Sequence, residues 1–324
     1  MKKLVIFNVG GALSSYLEFD DQKIIIDLGY SIDFSPVDDF LIPLAEKRSF
    51  SKFIDKDGKG SLYKVDQLFL SHLDNDHISD YEKFRKSFFP VWMTCPNDSN
   101  NESSDGSKLS QEEVNKINVD LLGEKNPIRD LVIEDMRKRS PLSSTQPLGS
   151  KNENIKLYFI KPKICEWNDN LKESYANNIS LVLFIILNEK TVLLSGDILK
   201  NGMDYLIENN SEFKENINNV GIDFLIAPHH GLVTSFSERL FQETKGGKTR
   251  LNIISEKVRT EDSEENRTDV DSRYYSSDYS TADNDLNQYG VKTSGGHIVV
   301  DLETAETEIK QITDTEDLIN EFLI

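Results

Sequence analysis

Residues 65–77 read VDQLFLSHLDNDH, and this stretch decides the fold. Its first seven residues are largely apolar, as expected for a buried strand. The next six, from His72 to His77, contain two histidines and two aspartates. Side chains that leave the end of a strand in one tight turn can converge on a metal ion. We therefore interpret the stretch as a strand that delivers metal ligands, with a solvated turn as the alternative.

Two further candidate ligand groups also follow strand-like runs. His229 and His230 come directly after residues 222–227, and Asp197 closes a Gly-Asp pair after residues 191–195. The chain contains five histidines, and four of them lie in the two clusters. Scattered surface histidines would not gather twice behind strands, although Asp197 alone would also fit an ordinary turn. Imidazole and carboxylate groups bind divalent metals at about 2.0–2.2 Å, so we expect one composite site.

The order of predicted elements, strands followed by helices and then the same again, predicts the fold class. Strands are predicted at 4–7, 14–18, 23–27, 65–71, 155–160, 181–187, 191–195, 222–227, 251–255, 297–302 and 307–312. Helices are predicted at 36–47, 81–88, 112–122, 127–139, 203–209, 213–217 and 238–243. This order indicates an α/β fold in which two sheets pack face to face, with helices outside and the site along one edge.

We expect one domain over residues 1–324, because the site needs residues from both halves of the chain. Polar stretches near 97–153 and 256–285 are interpreted as insertions into that domain. The longest apolar run, 181–187, is far shorter than the roughly 18–20 residues that span a bilayer. Two cysteines, Cys95 and Cys165, do not make a disulfide framework. These features predict a soluble cytoplasmic protein without membrane insertion.

The formal net charge of −19 bears on the choice of partner. It opposes long-range attraction to nucleic acid, whose phosphates usually meet a basic surface. It does not exclude a nucleic-acid substrate, because exposed charges beyond about 8–10 Å are screened at physiological salt. Bound metal ions would also invert the local field.

The motifs HxDxDH, Gly-Asp and His-His-Gly, in this order, resemble the metallo-β-lactamase superfamily. Further segments resemble one branch, the metallohydrolase domain of ComEC-type DNA-uptake proteins and their stand-alone relatives. These segments are FNVGG at 7–11, IDLG at 26–29 and NISLVL at 178–183. The resemblance covers most of the chain. It implies a four-layer αββα sandwich with a metal site at one edge of the two sheets.

The resemblance also implies a role for each candidate residue. It places His72 with Asp74 at one metal position and Asp76, His77 and His229 at the other, bridged by Asp197. Asp76 would also orient the attacking water, and Asp27 would support the cluster from behind. His230 would donate a proton to the leaving group or bind phosphate, with a packing role as the alternative.

Three other residues are candidates for contact with the substrate. Arg85 and Lys86 lie near the metal cluster in sequence and would suit a phosphate, although solvation of a helix surface explains them as well. His297 begins an edge-like strand, where a surface histidine is the simpler interpretation.

Departures from the superfamily pattern bear on the metal. Asp74 stands where the commoner pattern has histidine, and no histidine lies between residues 78 and 228. The first metal position would then be rich in oxygen, which shifts the expectation from zinc toward manganese or magnesium. We expect one or two divalent ions, with manganese and zinc as the main candidates and magnesium also compatible.

These observations predict a metal-dependent hydrolase, and the resemblance favours a phosphodiesterase or nuclease acting on DNA, RNA or a nucleotide. A carboxylic-ester or thioester hydrolase would use the same ligands. The missing third histidine and the polar insertions support another hypothesis, a binding or assembly subunit that docks on a protein such as an ATPase. We favour the hydrolase because every ligand of the second metal position, and Asp197, is present.

Overall fold

Two β-sheets form the centre of the structure, a computed structural model that describes residues 1–54, 60–96, 126–139, 154–161, 164–165, 168–256, 270–303 and 309–323. The first sheet comprises β1 (Lys2–Ile6), β2 (Ser14–Phe19), β3 (Gln22–Leu28), β4 (Lys52–Ile54), β5 (Ser61–Phe69), β6 (Phe88–Thr94), β13 (His297–Asp301) and β14 (Ile309–Ile312). The second comprises β7 (Ile155–Tyr158), β8 (Val182–Leu187), β9 (Lys190–Leu194), β10 (Phe224–Ile226), β11 (Leu251–Ile254) and β12 (Gly290–Lys292).

Strand direction places the ends of several strands at one edge. In the second sheet β9, β10, β11 and β12 are parallel neighbours, so their carboxyl ends lie together. In the first sheet β5 runs parallel to both β3 and β6. The end of β5 meets the second sheet where the backbone N–H of Leu181 donates to the carbonyl of Ser71, at 2.8 Å. The predicted ligands all follow strands that end at this edge.

Alternation along the strands shows which faces of the sheets meet. In β1, Leu4 and Ile6 belong to a buried cluster with Leu194 and Ile226 of the second sheet. Val5, between them, belongs instead to the cluster that contains the helical side chains. Because successive side chains of a strand point to opposite faces, one face of each sheet packs on the other sheet and one on helices. The predicted αββα sandwich is confirmed.

Helices cover the outer faces of the sheets. The described α-helices are α1 (Ile42–Lys47), α2 (Asn75–Ile78), α3 (Tyr81–Ser87), α4 (Pro127–Arg139), α5 (Asp169–Lys172), α6 (Tyr175–Asn178), α7 (Lys200–Asn209), α8 (Ser211–Asn219), α9 (Glu238–Glu243) and α10 (Thr315–Asn320). In α7 the buried residues Met203, Leu206 and Ile207 are spaced three and four apart, which gives one apolar face. None of the described helices has the length and apolar character needed to cross a membrane.

The structure contains elements that the sequence patterns missed, namely the strands β4, β6 and β12 and the helices α2, α5, α6 and α10. β6 includes Pro90, which lacks an N–H donor and therefore fits a strand with one neighbour. β6 pairs only with β5 in the described part of the chain. The expectation of an edge-like strand at His297 was wrong, because β13 pairs with β1 on one side and β14 on the other.

The predicted insertions fall partly outside the described residues. Residues 97–125, with the predicted helix at 112–122, lie outside them, and so do 140–153 and 257–269. The chain is described again from Val270, which forms a β-bridge with Leu232. The backbone N–H of Asp271 then donates to the carbonyl of Gly231 at 2.8 Å. The described end of the second insertion therefore packs directly behind the His-His-Gly motif.

Candidate metal centre

Three strand ends bring the candidate ligands together. The stretch from His72 to His77 follows β5, Asp197 follows β9, and His229 and His230 follow β10. The N–H of His229 donates to the carbonyl of Gly196 at 3.0 Å, which joins the last two segments directly. Residues distant in sequence therefore meet because their strands end side by side.

Three of the site residues have a left-handed backbone. The φ angles are 59° at Asp27, 48° at His229 and 58° at His230. Such conformations cost about 1–3 kcal/mol each for residues other than glycine, and they concentrate at functional sites. Two successive left-handed residues turn the chain sharply, so the two histidine side chains leave it in different directions.

The first group of candidate ligands consists of Asp76, His77, Asp197 and His230, with one ligand atom of each lying within 4.8 Å of all the others. His77 Nε2 lies 3.0 Å from Asp197 Oδ1, and His230 Nε2 lies 3.4 Å from Asp76 Oδ2. His77 is fully buried, whereas 31% of the Asp76 side chain is exposed. Asp76 therefore stands on the open side of this group.

The second group lies near the other oxygen of Asp197, which is also 3.9 Å from His230 Nε2 of the first group. His72 Nε2 lies 4.0 Å and His229 Nε2 3.7 Å from Asp197 Oδ2. His72 Nε2 also lies 3.4 Å from Asp74 Oδ2. Asp197 thus stands between the two groups, where a bridging ligand would have to be.

The distances divide the histidine pair differently from the sequence-based expectation. His230, expected to contact the substrate, lies with Asp76 and His77. His229, expected in that group, approaches Asp197 from the side of His72. Each group then has two imidazoles and two carboxylates, with Asp197 shared. The sequence analysis expected the first metal position to be rich in oxygen, because no histidine lies between residues 78 and 228. In the structure, His229 gives that position a second imidazole beside His72.

Hydrogen bonds on the outer side of the rings fix their orientation. His77 Nδ1 donates to Asp27 Oδ2 at 2.9 Å, and His230 Nδ1 donates to the carbonyl of Ser255 at 2.9 Å. A ring that donates from Nδ1 presents the lone pair of Nε2 to the opposite side. Asp27, expected behind the cluster, is in contact with His77 there.

The inward atoms fit a divalent cation. The Nε2 atoms of His72, His77 and His230 are buried and make no hydrogen bond with a described protein group, and the same holds for Asp197 Oδ1. Buried polar atoms without a partner are rare and costly in proteins. Imidazole nitrogens and carboxylate oxygens aimed at one point are the donor set of a transition-metal site.

Charge in the cluster leads to the same conclusion. Burial by itself lowers the pKa of His77, but Asp197 and Asp27 outweigh it and raise that pKa well above its usual range. Burial raises the pKa of Asp197, but His77 and His230 outweigh it and hold that pKa well below its usual range. Burial also lowers the pKa of His229, which leaves a neutral ring able to bind metal. The carboxylate charge inside the protein would be balanced by a cation.

The remaining sequence candidates have other partners in the structure. Arg85 pairs with Asp135 at 2.8 Å, and Lys86 pairs with Glu82 at 2.7 Å. His297 is buried rather than on the surface, and its Nδ1 accepts a hydrogen bond from the backbone N–H of Asn8 at 3.0 Å. Burial lowers the pKa of His297 to about 4, so the ring stays neutral at physiological pH. A role for these three residues in substrate binding stays a prediction.

Three serines that the sequence analysis did not single out hold the ligands. The Ser71 hydroxyl donates to Asp27 and lies 3.2 Å from His72 Nδ1. The Ser180 hydroxyl accepts from the backbone N–H of Asp197 at 3.1 Å. Ser71 precedes the first ligand and Ser180 lies in the NISLVL segment, so both were within reach of motif analysis. Ser255 acts through its backbone carbonyl, which no residue type specifies.

Comparison with known families is consistent with this geometry. The model of the metallo-beta-lactamase superfamily matches residues 8–144, which include Asp27 and the His72–His77 stretch. Residues 8–144 are therefore similar to the metallo-beta-lactamase superfamily, whose members usually bind divalent metals. The relationship to the ComEC-type branch stays a prediction. No curated protein matches the chain significantly.

Similar solved structures include proteins from an archaeon, a bacterium and yeast. The metallo hydrolase Igni18 from Ignicoccus hospitalis is 10% identical, with a TM-score of 0.37, 79% of this chain and 83% of that chain being covered. YhfI from Bacillus subtilis, a metallo-beta-lactamase fold protein, is 13% identical, with a TM-score of 0.36 and coverage of 80% and 88%. A long form of RNase Z from yeast is 12% identical, with a TM-score of 0.34 and coverage of 99% and 43%. At such TM-scores these similarities carry no argument about activity.

Double variants test which histidine belongs to which group. Protein loaded with excess Mn²⁺ and then desalted is expected to hold two ions per chain. His230→Ala combined with Asp76→Ala should keep one ion, because both changes affect the same group. His230→Ala combined with Asp74→Ala should lose both, because the changes affect different groups. Metal analysis gives the stoichiometry, and one ion retained in both double variants would favour the sequence-based division, in which His230 is not a ligand.

Gly29 offers a test of the support for Asp76. A Cβ at Gly29 would lie 2.1 Å from the carbonyl oxygen of Asp76, so Gly29→Ala must displace the backbone of the ligand. We expect about 1–3 kcal/mol less unfolding free energy in urea, together with a loss of bound metal. In the control Gly246→Ala the added Cβ has no atom within 4 Å. That variant bears only the strain of its φ of 80° and should keep its metal.

Proposed function

We propose that this protein, which is similar to the metallo-beta-lactamase superfamily, acts as a metal-dependent phosphodiesterase, with DNA, RNA or a nucleotide as the source of the phosphodiester. One observation supports the proposal above the others. Asp197 lies between two groups that each combine imidazole and carboxylate donors. The two groups would each hold a divalent ion, and such ions would supply an activated water and stabilise the charge that develops in an in-line phosphoryl displacement.

Asp76 is the residue proposed to orient the attacking water. Burial raises its pKa, but the neighbouring imidazoles of His230 and His77 outweigh burial and hold the pKa well below its usual range. Asp76 is thus a carboxylate throughout the physiological range and can accept a hydrogen bond. So weak a base orients a water better than it removes a proton from it. Its partial exposure supports this role, because an exposed ligand is accessible to a substrate.

His230 is proposed as a ligand rather than as a proton donor to the leaving group. Its Nδ1 proton is given to the carbonyl of Ser255, and its Nε2 faces Asp76. No proton of this ring is then available to a leaving oxygen. We therefore do not propose that His230 donates a proton to the leaving group, as the sequence resemblance implied.

Manganese or zinc is the proposed metal. Each group offers two imidazoles beside its carboxylates, and imidazole suits these ions. Magnesium prefers oxygen ligands and several waters, so a site with two imidazoles favours it less. The two imidazoles of each group therefore support zinc more strongly than the sequence alone did.

The experiment is hydrolysis of bis(p-nitrophenyl) phosphate by protein that has been stripped of metal and reloaded separately with Mn²⁺, Zn²⁺ and Mg²⁺. We expect turnover with Mn²⁺ or Zn²⁺. Asp76→Ala should lower kcat by about a hundredfold or more, with little change in unfolding free energy. Asp278→Ala, a change of an exposed aspartate in a distant loop, is the matched control and should retain full turnover.

Two outcomes would contradict the proposal. Full turnover by Asp76→Ala would remove this residue from the reaction. An absence of turnover with each metal, in protein that binds the ion, would reject the phosphodiesterase. Parallel assays with p-nitrophenyl acetate and a thioester would then test the ester hydrolase. Co-purification of a stoichiometric protein would support the assembly subunit.

A further inference from the structure

We propose that Tyr30 and Ile32 form a subsite beside the metal centre for an aromatic substituent, such as a nucleobase, of a small phosphodiester. This inference rests on the proposed function and narrows its substrate class. Two observations support it. An exposed apolar loop is attached to the segment that follows the ligands His72–His77, and nearby lysine and arginine side chains are paired with carboxylates.

The loop that carries Tyr30 is tied to the ligand loop at several points. The backbone N–H of Tyr30 donates to the Ser79 hydroxyl at 3.1 Å, two residues beyond His77. One residue before Tyr30, a Cβ added at Gly29 would lie 2.1 Å from the carbonyl oxygen of Asp76, so the two segments are closely packed. The N–H of Asp80 donates to the carbonyl of Leu28 at 2.7 Å. Tyr30 therefore lies at the rim of the site, next to the more exposed ligand, Asp76.

A closed turn presents the apolar side chains to solvent. Phe34 and Ser31 exchange backbone and side-chain hydrogen bonds, with Ser31 N–H donating to the Phe34 carbonyl at 3.0 Å and Phe34 N–H donating to the Ser31 hydroxyl at 3.1 Å. Phe34 is buried, and its ring centroid lies 4.4 Å from that of His297. Between these anchors, 98% of Ile32 is exposed, and Tyr30 is 44% exposed. Such exposed apolar groups beside a polar site are typical of a contact surface for a ligand.

One face of the Tyr30 ring is in contact with a cation. The ammonium of Lys83, on α3, lies 5.4 Å from the ring centroid. This contact holds the aromatic ring against the helix that follows the metal ligands. A ring held in this way loses little conformational freedom when an aromatic group of a ligand stacks on it.

The cations near the site argue for a small substrate rather than a long polyanion. Among the described residues, five cations on segments that adjoin the ligand residues are each paired with a carboxylate: Lys83 with Asp38, Arg85 with Asp135, Lys86 with Glu82, Lys200 with Asp204 and Lys292 with Glu256. Proteins that track a nucleic-acid backbone use a run of cationic groups for its phosphates. The net charge of −19 works in the same direction. One phosphodiester at the metals and one organic group at Tyr30 would satisfy this site.

The test compares two esters with the same leaving group, methyl p-nitrophenyl phosphate and thymidine 5′-(p-nitrophenyl phosphate). The wild-type protein loaded with Mn²⁺ should show a KM about tenfold lower for the thymidine ester, because an aromatic side chain stacks on the base. Tyr30→Ala should remove this difference in KM while leaving kcat and the KM for the methyl ester unchanged. Ile32→Ser should reduce the difference in part.

Matched controls come from exposed residues of the same type elsewhere. Tyr289→Ala changes a tyrosine that is 38% exposed and directly precedes β12, at the end of the parallel strands opposite the metal site. Ile54→Ser changes an isoleucine of β4 that is 65% exposed. Both controls should keep the preference for the thymidine ester.

The outcomes separate the subsite from the proposed function. Turnover of both esters with equal KM, or a thymidine preference that survives Tyr30→Ala, would overturn the subsite but leave the phosphodiesterase intact. A single-stranded oligonucleotide used far more efficiently than either ester, with a steep loss of kcat/KM in salt, would overturn the small-substrate inference. If neither ester is hydrolysed, the proposed function fails. Calorimetric binding of thymidine 5′-monophosphate to the Mn²⁺-loaded protein then decides the subsite, with about tenfold weakening expected in Tyr30→Ala.

Discussion

The buried carboxylate of Asp27 is the interaction on which the arrangement of the site depends. It accepts the backbone N–H of Ser71 at 2.7 Å, the Ser71 hydroxyl at 2.8 Å and His77 Nδ1 at 2.9 Å. These three hydrogen bonds give both oxygens of the fully buried side chain a partner. The end of β3 is therefore joined to the end of β5 at the residue before the first ligand. This link fixes the orientation of the His77 ring and the position at which the segment His72–His77 begins.

The second sheet contributes through the tandem histidines. On an extended strand two successive side chains point to opposite faces, and they could not both approach Asp197. The left-handed backbone at His229 and His230 changes that geometry and brings both rings to the carboxylate from different sides. One short turn thus supplies one imidazole to each group. The strain in this turn is offset by hydrogen bonds to Gly196 and Ser255.

Sequence patterns predicted the fold class and the residue types of the site, because both depend on local chemistry. Apolar runs predicted β5, β9 and β10, and polar residues at their ends predicted where ligands would gather. The division of the tandem histidines did not follow, because it depends on two φ angles that no residue pattern specifies. The support from Ser255 was equally hidden, since a backbone carbonyl is common to every residue. β6 was missed because Pro90 argues against a strand until its single neighbour is known.

The burial of His297 shows a different limit of the sequence. The sequence suggested a surface histidine at the start of an edge-like strand, but the environment is set by β1, β14 and the ring of Phe34. Its Nδ1 accepts from Asn8, so its proton must be on Nε2, and its low pKa keeps the ring in that neutral form. This ring supports the loop of Tyr30 and Ile32 through Phe34. The acidic chain therefore combines a carboxylate-rich centre, where bound cations would provide the positive charge, with an apolar rim built on a neutral histidine. Recognition of a substrate at such a site would depend on the metals for the phosphate and on the rim for the organic group, because Lys83, Arg85 and Lys86, the cations of the helix that follows the ligands, are paired with carboxylates.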